Sequence, residues 1–435
     1  MDSITLNETS PLTQAAIWNN NVSEFIEFAR THSDFYKKLY SSLPSGPLTL
    51  SQLPILEPTT FWASNPTTGD GLPTTPHVDG VVLASGGSTA APKITLVSKS
   101  ELQAVSNYIS SCLVAAGVWP GDRIANFFVA GDLYSSFLLT SMGITGCPIP
   151  LVLLPLGFGL TPQKMISYLQ SQQATVAMGI TTTLAKIAAA LLKEGKVLPH
   201  IHLLLFSGEH LYEDQRGLIQ RAFPNAAIRS LAYGSMDCGL VGRPAEEFDD
   251  PKVHKVNHPT VIIEIVDAEG NAITEPGKPG TIVSTNLCRR LVPIIRYPVG
   301  DIGEWVDHAK NLFRVLGRDQ KEVRVGVVSI EAHQLRSMIE QTLSDADRAS
   351  FHGAQIRLER KELRDQMIFR VACAPADPEK VNLELAEALN RLKPWFKDHV
   401  AAGFLHPLVV EWVDMDGLET AVTTGKTLLI VDKRL

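Results

Sequence analysis

The chain has 435 residues, 45% hydrophobic and 20% charged, with a formal net charge of −7. That length exceeds a single core and predicts two or three domains, with the composition of a soluble globular protein. A mildly acidic charge without long runs argues against nucleic acid as the main partner.

The opening MDSITLNETSP lacks the basic start and apolar stretch of a signal peptide. Ala15 to Tyr40 carries apolar residues at helical spacing and predicts an amphipathic helix. A proline-rich stretch from Pro44 to Pro76 predicts an irregular wrap across a surface.

From Val81 the pattern turns regular. VVLAS predicts a strand and is followed by a glycine loop, LASGGSTAAPK, from Leu83 to Lys93. SKSE (Ser98 to Glu101) is a capping-box signature that opens a helix reaching about Gly117. RIANFFVA predicts a strand, DLYSSFLLTSMG a helix and PIPLVLL a strand. Thr161 and Pro162 start the next helix as N-cap and first helical residue. TVAMG, TTTLAKIAAALLKEG, HLLLFSG, YEDQRGLIQRAF and IRSLAYG continue the alternation, which predicts a parallel sheet covered on both faces. The most apolar window, Ile144 to Leu160, is too short and too broken by proline and glycine to span a bilayer.

After about Lys255 the segments alternate apolar and polar with turns between them, which predicts antiparallel strands. A break follows at Leu316 to Glu322. The remainder reads strand, helix, strand, strand, helix, strand, enough for a small α+β domain. The expected division is 1–316 and 317–435. The expected fold is α/β: a large N-terminal domain with parallel or mixed sheets flanked by helices, a β-barrel-like antiparallel part, and a small α+β C-terminal domain.

The five cysteines are odd in number and form no CxxC pair, so a disulfide framework or structural zinc is not expected. Cys238 with His254 and His258 reads either as a partial metal site or as unrelated loop residues. The expected compartment is the reducing cytoplasm.

The glycine loop fits neither common phosphate motif. A P-loop needs glycine five residues before Gly425, where Thr420 stands, and the best dinucleotide candidate, Gly157-Phe158-Gly159, ends in Pro162. SGGST still has the required physics: glycine N–H groups approach an anion closely, and the hydroxyls of Ser85, Ser88 and Thr89 add donors. A plain Ser/Gly turn after a strand is the alternative.

Order and spacing add weight. SGE stands at Ser207–Glu209, YGSMD at Tyr233–Asp237, RYPVGD at Arg296–Asp301, LGRD at Leu316–Asp319 and TGK at Thr424–Lys426. Together with SGGSTAAP, this set resembles the adenylate-forming superfamily, and most of all phenylacetate–CoA ligases and related aryl-acid ligases, from about Val81 to the end.

The resemblance implies a two-step reaction. A carboxylate attacks the α-phosphate of ATP to give an acyl-adenylate and pyrophosphate, and a thiol then displaces AMP. It implies that Ser85, Gly86, Gly87, Ser88 and Thr89 hold phosphates, and that Ser207, Gly208, Glu209, Tyr233 and Gly234 surround adenine. Asp237 stands where the family binds Mg²⁺ through glutamate. Asp301 would accept the ribose hydroxyls, and Arg318 would contact ribose or phosphate from the hinge. Lys426 would meet the charge that develops in adenylation, with Lys433 as a competitor. The acid pocket would involve Phe127, Phe128, Ala130, Gly131, Ala232 and Gly234, although the phenylalanines read equally well as core.

The expected substrate is a small aromatic acid of the benzoate, anthranilate or phenylacetate type, and the expected acceptor is coenzyme A. A carrier protein or an amine is the alternative acceptor, and no membrane or nucleic-acid partner is expected. The chain would act as a monomer or homodimer. Ala90, Met236 and Asp237 depart from the family pattern and motivate a third reading, a binding protein on a decayed ligase fold.

Overall fold

The computed structural model describes residues 11–64, 71–84, 93–157, 159–209, 211, 213–318, 322–326, 328–348, 350–351, 353–414, 417–419 and 428–434. The single N-terminal helix expected from the spacing is two, α1 (Pro11–His32) and α2 (Asp34–Leu39). Ser33 takes an extended conformation between them (φ −109°, ψ 120°). Its hydroxyl donates to Leu72 O at 2.9 Å, which ties the bend to the proline-rich wrap. Within that wrap Glu57 caps α3 (Pro58–Ala63), accepting from Thr59 N and Thr60 N at 3.1 and 2.6 Å.

Strands β1 (Val81–Ala84) and β2 (Ile94–Val97) form an antiparallel hairpin, with Ala84 opposite Ile94. Helix α4 (Lys99–Ala115) begins at the predicted capping box of Ser98 and Glu101. The next units are β3 (Arg123–Asn126), α5 (Ser136–Thr145), β4 (Val152–Pro155), α6 (Pro162–Ser171), β5 (Val176–Gly179), α7 (Thr181–Lys193), β6 (Leu203–Phe206), α8 (Glu213–Ala222) and β7 (Ala227–Ser230). The strands form a parallel sheet in the order β4-β3-β5-β6-β7.

Side chains alternate across that sheet. Ala125, Ala177 and Leu204 join α6, α7 and α8 in one buried cluster. Ile124, Val176, Met178, Leu203 and Leu205 join α4 and α5 in another. Two expected boundaries move. Strand β3 stops at Asn126 because the Asn126 amide turns the chain, accepting from Phe128 N at 3.1 Å and donating to Thr140 Oγ1 at 2.8 Å. Helix α5 starts after the expected Asp132 because Asp132 (φ 49°) and Leu133 (φ 59°) are left-handed.

The strand expected to carry IRSLAYG ends at Ser230. Tyr233 instead opens β8 (Tyr233–Ser235), which pairs with β9 (Gly239–Pro244) in a second sheet. That sheet adds β10 (Val253–Val256), β11 (Val261–Val266), β12 (Ala272–Ile273), β13 (Gly280–Asn286), β14 (Ile294–Asp307) and β15 (Leu312–Arg318). Its order is β12-β11-β13-β14-β15-β10-β9-β8, and every pairing is antiparallel. One face packs against α1, α2 and α3 through Phe25, Tyr36, Phe61, Ile295 and Tyr297.

The C-terminal part contains a hairpin of β16 (Glu322–Val325) and β17 (Val328–Glu331), then α9 (Ala332–Thr342), α10 (Asp345–Arg348), β18 (Gly353–Lys361) and β19 (Arg364–Ala372). It closes with α11 (Pro378–Leu392), α12 (Pro394–Ala401), β20 (Val409–Val413) and β21 (Ile430–Asp432). Its main sheet runs β20-β19-β18-β21, and its core draws on Val325 to Ile430 alone. The fold is mixed α/β with a parallel sheet flanked by helices and separate antiparallel sheets, as expected. No helix among the described residues is long and apolar enough to cross a membrane.

Candidate active site

A cleft of about 1580 Å³ opens between the two large sheets and the C-terminal part. Its lining includes Ala84 and Lys93, the two ends of the glycine loop. Ser85, Gly86, Gly87, Ser88 and Thr89 lie outside the described residues, as does Lys426.

Ser207, Gly208 and Glu209 follow β6 at its carboxyl end and line the cleft. This is where a parallel sheet presents ligand sites. Gly208 has φ +85°, which favours glycine. Glu209 is committed to helix α7: its Oε2 accepts from Thr181 Oγ1 and from Thr182 N, both at 2.9 Å. It satisfies a free N–H at the helix start and meets the positive end of the dipole. Ser207 Oγ donates to Ala232 O at 3.1 Å, joining the β6 turn to the crossing between the sheets.

Gly234 also lines the cleft, and a Cβ there would stand 2.3 Å from Gly239 O, so the β8–β9 turn needs glycine. Asp237 sits in that turn. Its Oδ2 accepts from Lys93 Nζ at 2.6 Å and from Tyr297 OH at 2.6 Å. Trp62 Nε1 donates to the same phenol oxygen at 2.9 Å. Burial, then the Asp237 charge, raises the Tyr297 pKa well above its usual value, so the phenol stays a donor. This Lys93–Asp237–Tyr297 cluster, with both charged side chains largely buried, stands at the end of the glycine loop.

Tyr233 and Asp301 bond to each other at 2.7 Å and flank cleft-lining Gly234 and Gly300 rather than lining it themselves. Arg318 stands opposite Asp301 in the β14–β15 ladder. The Tyr233 ring lies 5.6 Å from both His254 and Phe313. His254 is buried, its Nε2 3.1 Å from Ser230 Oγ, and burial pushes its pKa down to about 4. It is therefore a neutral packing group at pH 7.

Phe128 and Ala232 line the cleft together with Val105, Ile109, Leu139 and Leu240. Phe127 turns the other way, fully buried among α7 and α8 side chains. Ala130 and Gly131 lie in the turn before α5 and are not represented among the described lining residues.

The C-terminal part closes one wall. Trp395 meets Tyr134 edge-on at 5.8 Å, and Arg324 donates to Gly208 O. Lys186 Nζ lies 3.4 Å from the Phe404 ring centroid and donates to Ala402 O at 2.9 Å. Burial, with Arg364 nearby, lowers the Lys186 pKa to about 8.

Sequence reasoning missed Lys93, Tyr297 and Arg289. The first two had a signal: Lys93 closes the glycine loop and Tyr297 lies within RYPVGD. Arg289, buried in the cleft lining, had none.

Comparison with known proteins agrees with this layout. Residues 73–286 match the AMP-binding enzyme family. Indoleacetate–lysine synthetase of Pseudomonas savastanoi is 25% identical over 322 residues, 73% of this chain and 75% of that protein. Phenylacetate–coenzyme A ligase of Pseudomonas putida is 22% identical over 241 residues, 54% of this chain, so the alignment spans about half (53%) of that relative. Among solved structures, 2-hydroxyisobutyryl-CoA ligase with 2-HIB-AMP and CoA in the thioesterification state superimposes with a TM-score of 0.71 at 17% identity, covering 98% of this chain and 91% of that one. The amide bond synthetase McbA of Marinactinospora thermotolerans gives 0.55 at 14% identity, covering 80% of this chain and 67% of that one. Residues 73–286 are thus an AMP-binding domain, and the chain has phenylacetate–CoA ligase homologues and structural neighbours in the adenylate-forming superfamily.

Proposed function

We propose that the protein activates a small aromatic carboxylic acid with ATP and transfers the acyl group to coenzyme A. The carrying observation is Asp237, clamped by Lys93 and Tyr297 at the end of the glycine loop inside a cleft lined by Phe128, Val105, Ile109 and Leu240. A carboxylate oxygen of the acid attacks the α-phosphorus, the bond to the β-phosphate oxygen breaks, and pyrophosphate leaves. The thiol gives up its proton to solvent, its sulfur attacks the acyl carbon, the bond to the AMP oxygen breaks, and AMP departs. Both steps need positioning and charge neutralisation more than covalent help.

The glycine loop and Lys93 hold the polyphosphate, Asp301 receives the ribose hydroxyls, and Arg318 and Lys426 meet the charge from the hinge side and the C-terminal side. Mg²⁺ bound by ATP fits this donor set. It takes one or two carboxylates together with phosphate oxygens and waters, and Asp237 Oδ1 has no bond to a described residue. When bound, the ion neutralises the phosphate charge. The unit from residue 317 onward, whose core is its own, swings between the two steps and exchanges the Tyr134–Trp395 and Lys186–Phe404 contacts.

A second reading keeps the first step and passes the acyl group to an amine. What favours it is the likeness to indoleacetate–lysine synthetase and to an amide bond synthetase. The experiment is pyrophosphate release with Mg-ATP and a panel of aryl, amino and fatty acids, with and without coenzyme A or lysine, products identified by mass. An aryl-CoA supports the first reading, and an acyl-lysine made in preference supports the second. No acid-dependent release from folded protein rejects both.

A further inference from the structure

Arg289 is 4% exposed and lines the cleft. Its Nη2 donates to Thr95 Oγ1 at 2.5 Å and to Leu96 O at 3.3 Å, while its Nε has no hydrogen-bond partner among the described residues. The neighbouring acceptors are already committed. Glu101 Oε1 accepts from Arg290 N at 2.6 Å and Leu291 N at 2.8 Å, and its Oε2 accepts from Ser98 N at 2.8 Å. Asn286 donates to Cys238 O and accepts from Cys288 N, both at 3.0 Å.

Among the described residues, therefore, no carboxylate lies within ion-pair distance of Arg289, and Glu101 attracts it only through space. A buried guanidinium in that state is costly, and a ligand that brings an acceptor removes the cost. The planar fork suits a carboxylate or a carbonyl. The surroundings say where that acceptor sits on the ligand. Thr95 is two residues beyond Lys93, about 7 Å deeper along the chain. Glu101, Val105 and Ile109 follow at four-residue steps on one face of α4, so the polar end marked by Arg289 adjoins an apolar stripe.

We infer that Arg289 anchors a second acceptor group of the acid substrate, a carboxylate, hydroxyl or carbonyl on the ring distinct from the carboxylate that attacks ATP. The inference rests on the acid-activation reading and names the substrate class: aromatic acids with a further polar substituent.

The test uses the full chain, its Arg289→Gln variant and its Arg289→Lys variant. Benzoate is compared with 3-hydroxybenzoate and with benzene-1,3- and 1,4-dicarboxylate in acid-dependent pyrophosphate exchange. Calorimetry measures binding of the same acids and, separately, of Mg-ATP. The expected result is a preference of about tenfold or more for at least one substituted acid over benzoate, from a charge-assisted hydrogen bond. Arg289→Gln abolishes that preference through KM and leaves Mg-ATP binding unchanged, and Arg289→Lys restores part of the preference.

Equal use of all four acids by the native chain overturns the inference. So does weakened Mg-ATP binding with the acid preference intact, which would make Arg289 a phosphate group. A proportional loss on every acid with a lowered melting temperature would reduce Arg289 to a tie to β2. Arg289-dependent binding of a dicarboxylate without any exchange would keep the anchor and reject acid activation.

Discussion

Tyr233 OH lies 2.7 Å from Asp301 Oδ2, although β8 and β14 are four places apart in their sheet. Laid flat, strands so separated stand about 19 Å apart. The bond exists because the sheet curls round on itself, with the rings of Tyr233, His254 and Phe313 filling the curve. The curl carries Asp301 to the turn that holds Asp237. Asp301→Ala is expected to weaken Mg-ATP binding by about 10- to 100-fold, the worth of one or two hydrogen bonds to a carboxylate. Tyr233→Phe is expected to cost about 1 kcal/mol of stability and less in affinity. Calorimetric titration with Mg-ATP decides it, and unchanged affinity in Asp301→Ala removes Asp301 from the nucleotide site.

Lys93 and Asp237 share one short contact, and Tyr297 donates to the same oxygen. Removing either charge takes this contact from the other while it stays partly buried, which is worse than removing both. Lys93→Met and Asp237→Asn are each expected to lower pyrophosphate exchange by about 10²-fold or more, the scale of losing one preorganised electrostatic partner. The double variant should fall short of the product of the two losses by a coupling above about 1 kcal/mol. Additive losses would mean that the two residues serve separate steps and that their contact is incidental.

The alternation of buried strands with capped helices made the parallel sheet legible, and both predicted caps, Ser98 and Thr161, are present. What stayed hidden depends on contacts between distant segments. Nothing within IRSLAYG says that the chain leaves one sheet at Ser230 and enters another at Tyr233, because both halves have strand character. The spacing of Phe127 and Phe128 says that they face opposite ways but not which one meets the cleft. Glu209 reads as a nucleotide neighbour, yet its carboxylate caps a helix that begins 28 residues earlier. Arg289 looks like any loop arginine until Thr95, far away in sequence, is seen to hold it.

Lys426 tests the proposed division of labour. Its replacement by alanine is expected to slow acyl-adenylate formation by about 10²- to 10⁴-fold. Transfer from a supplied acyl-adenylate to the thiol, which needs no such cation, should change by less than about tenfold. Measuring the two half-reactions separately checks this. Equal losses in both would point to a general structural role, and loss confined to Lys433→Ala would move the assignment to that residue.

His254 sets an acid limit on the same curl. It is fully buried beside Tyr233, and its pKa is pushed down to about 4, first by burial. The unfolded chain binds its proton near pH 6.5, the folded chain only near 4. Its contribution is therefore fully present above pH 6.5 and is lost progressively as the pH falls toward 4, up to about 3 kcal/mol. His254→Gln keeps a donor and an acceptor but cannot titrate. The native chain is expected to lose more stability than this variant between pH 7 and 4, and to lose Mg-ATP affinity over the same range as the charged ring disturbs Tyr233. Urea unfolding of both proteins at several pH values measures the difference. Parallel curves would show that His254 takes up its proton over the same pH range in the folded and unfolded chain and that the carboxylates alone set the acid limit.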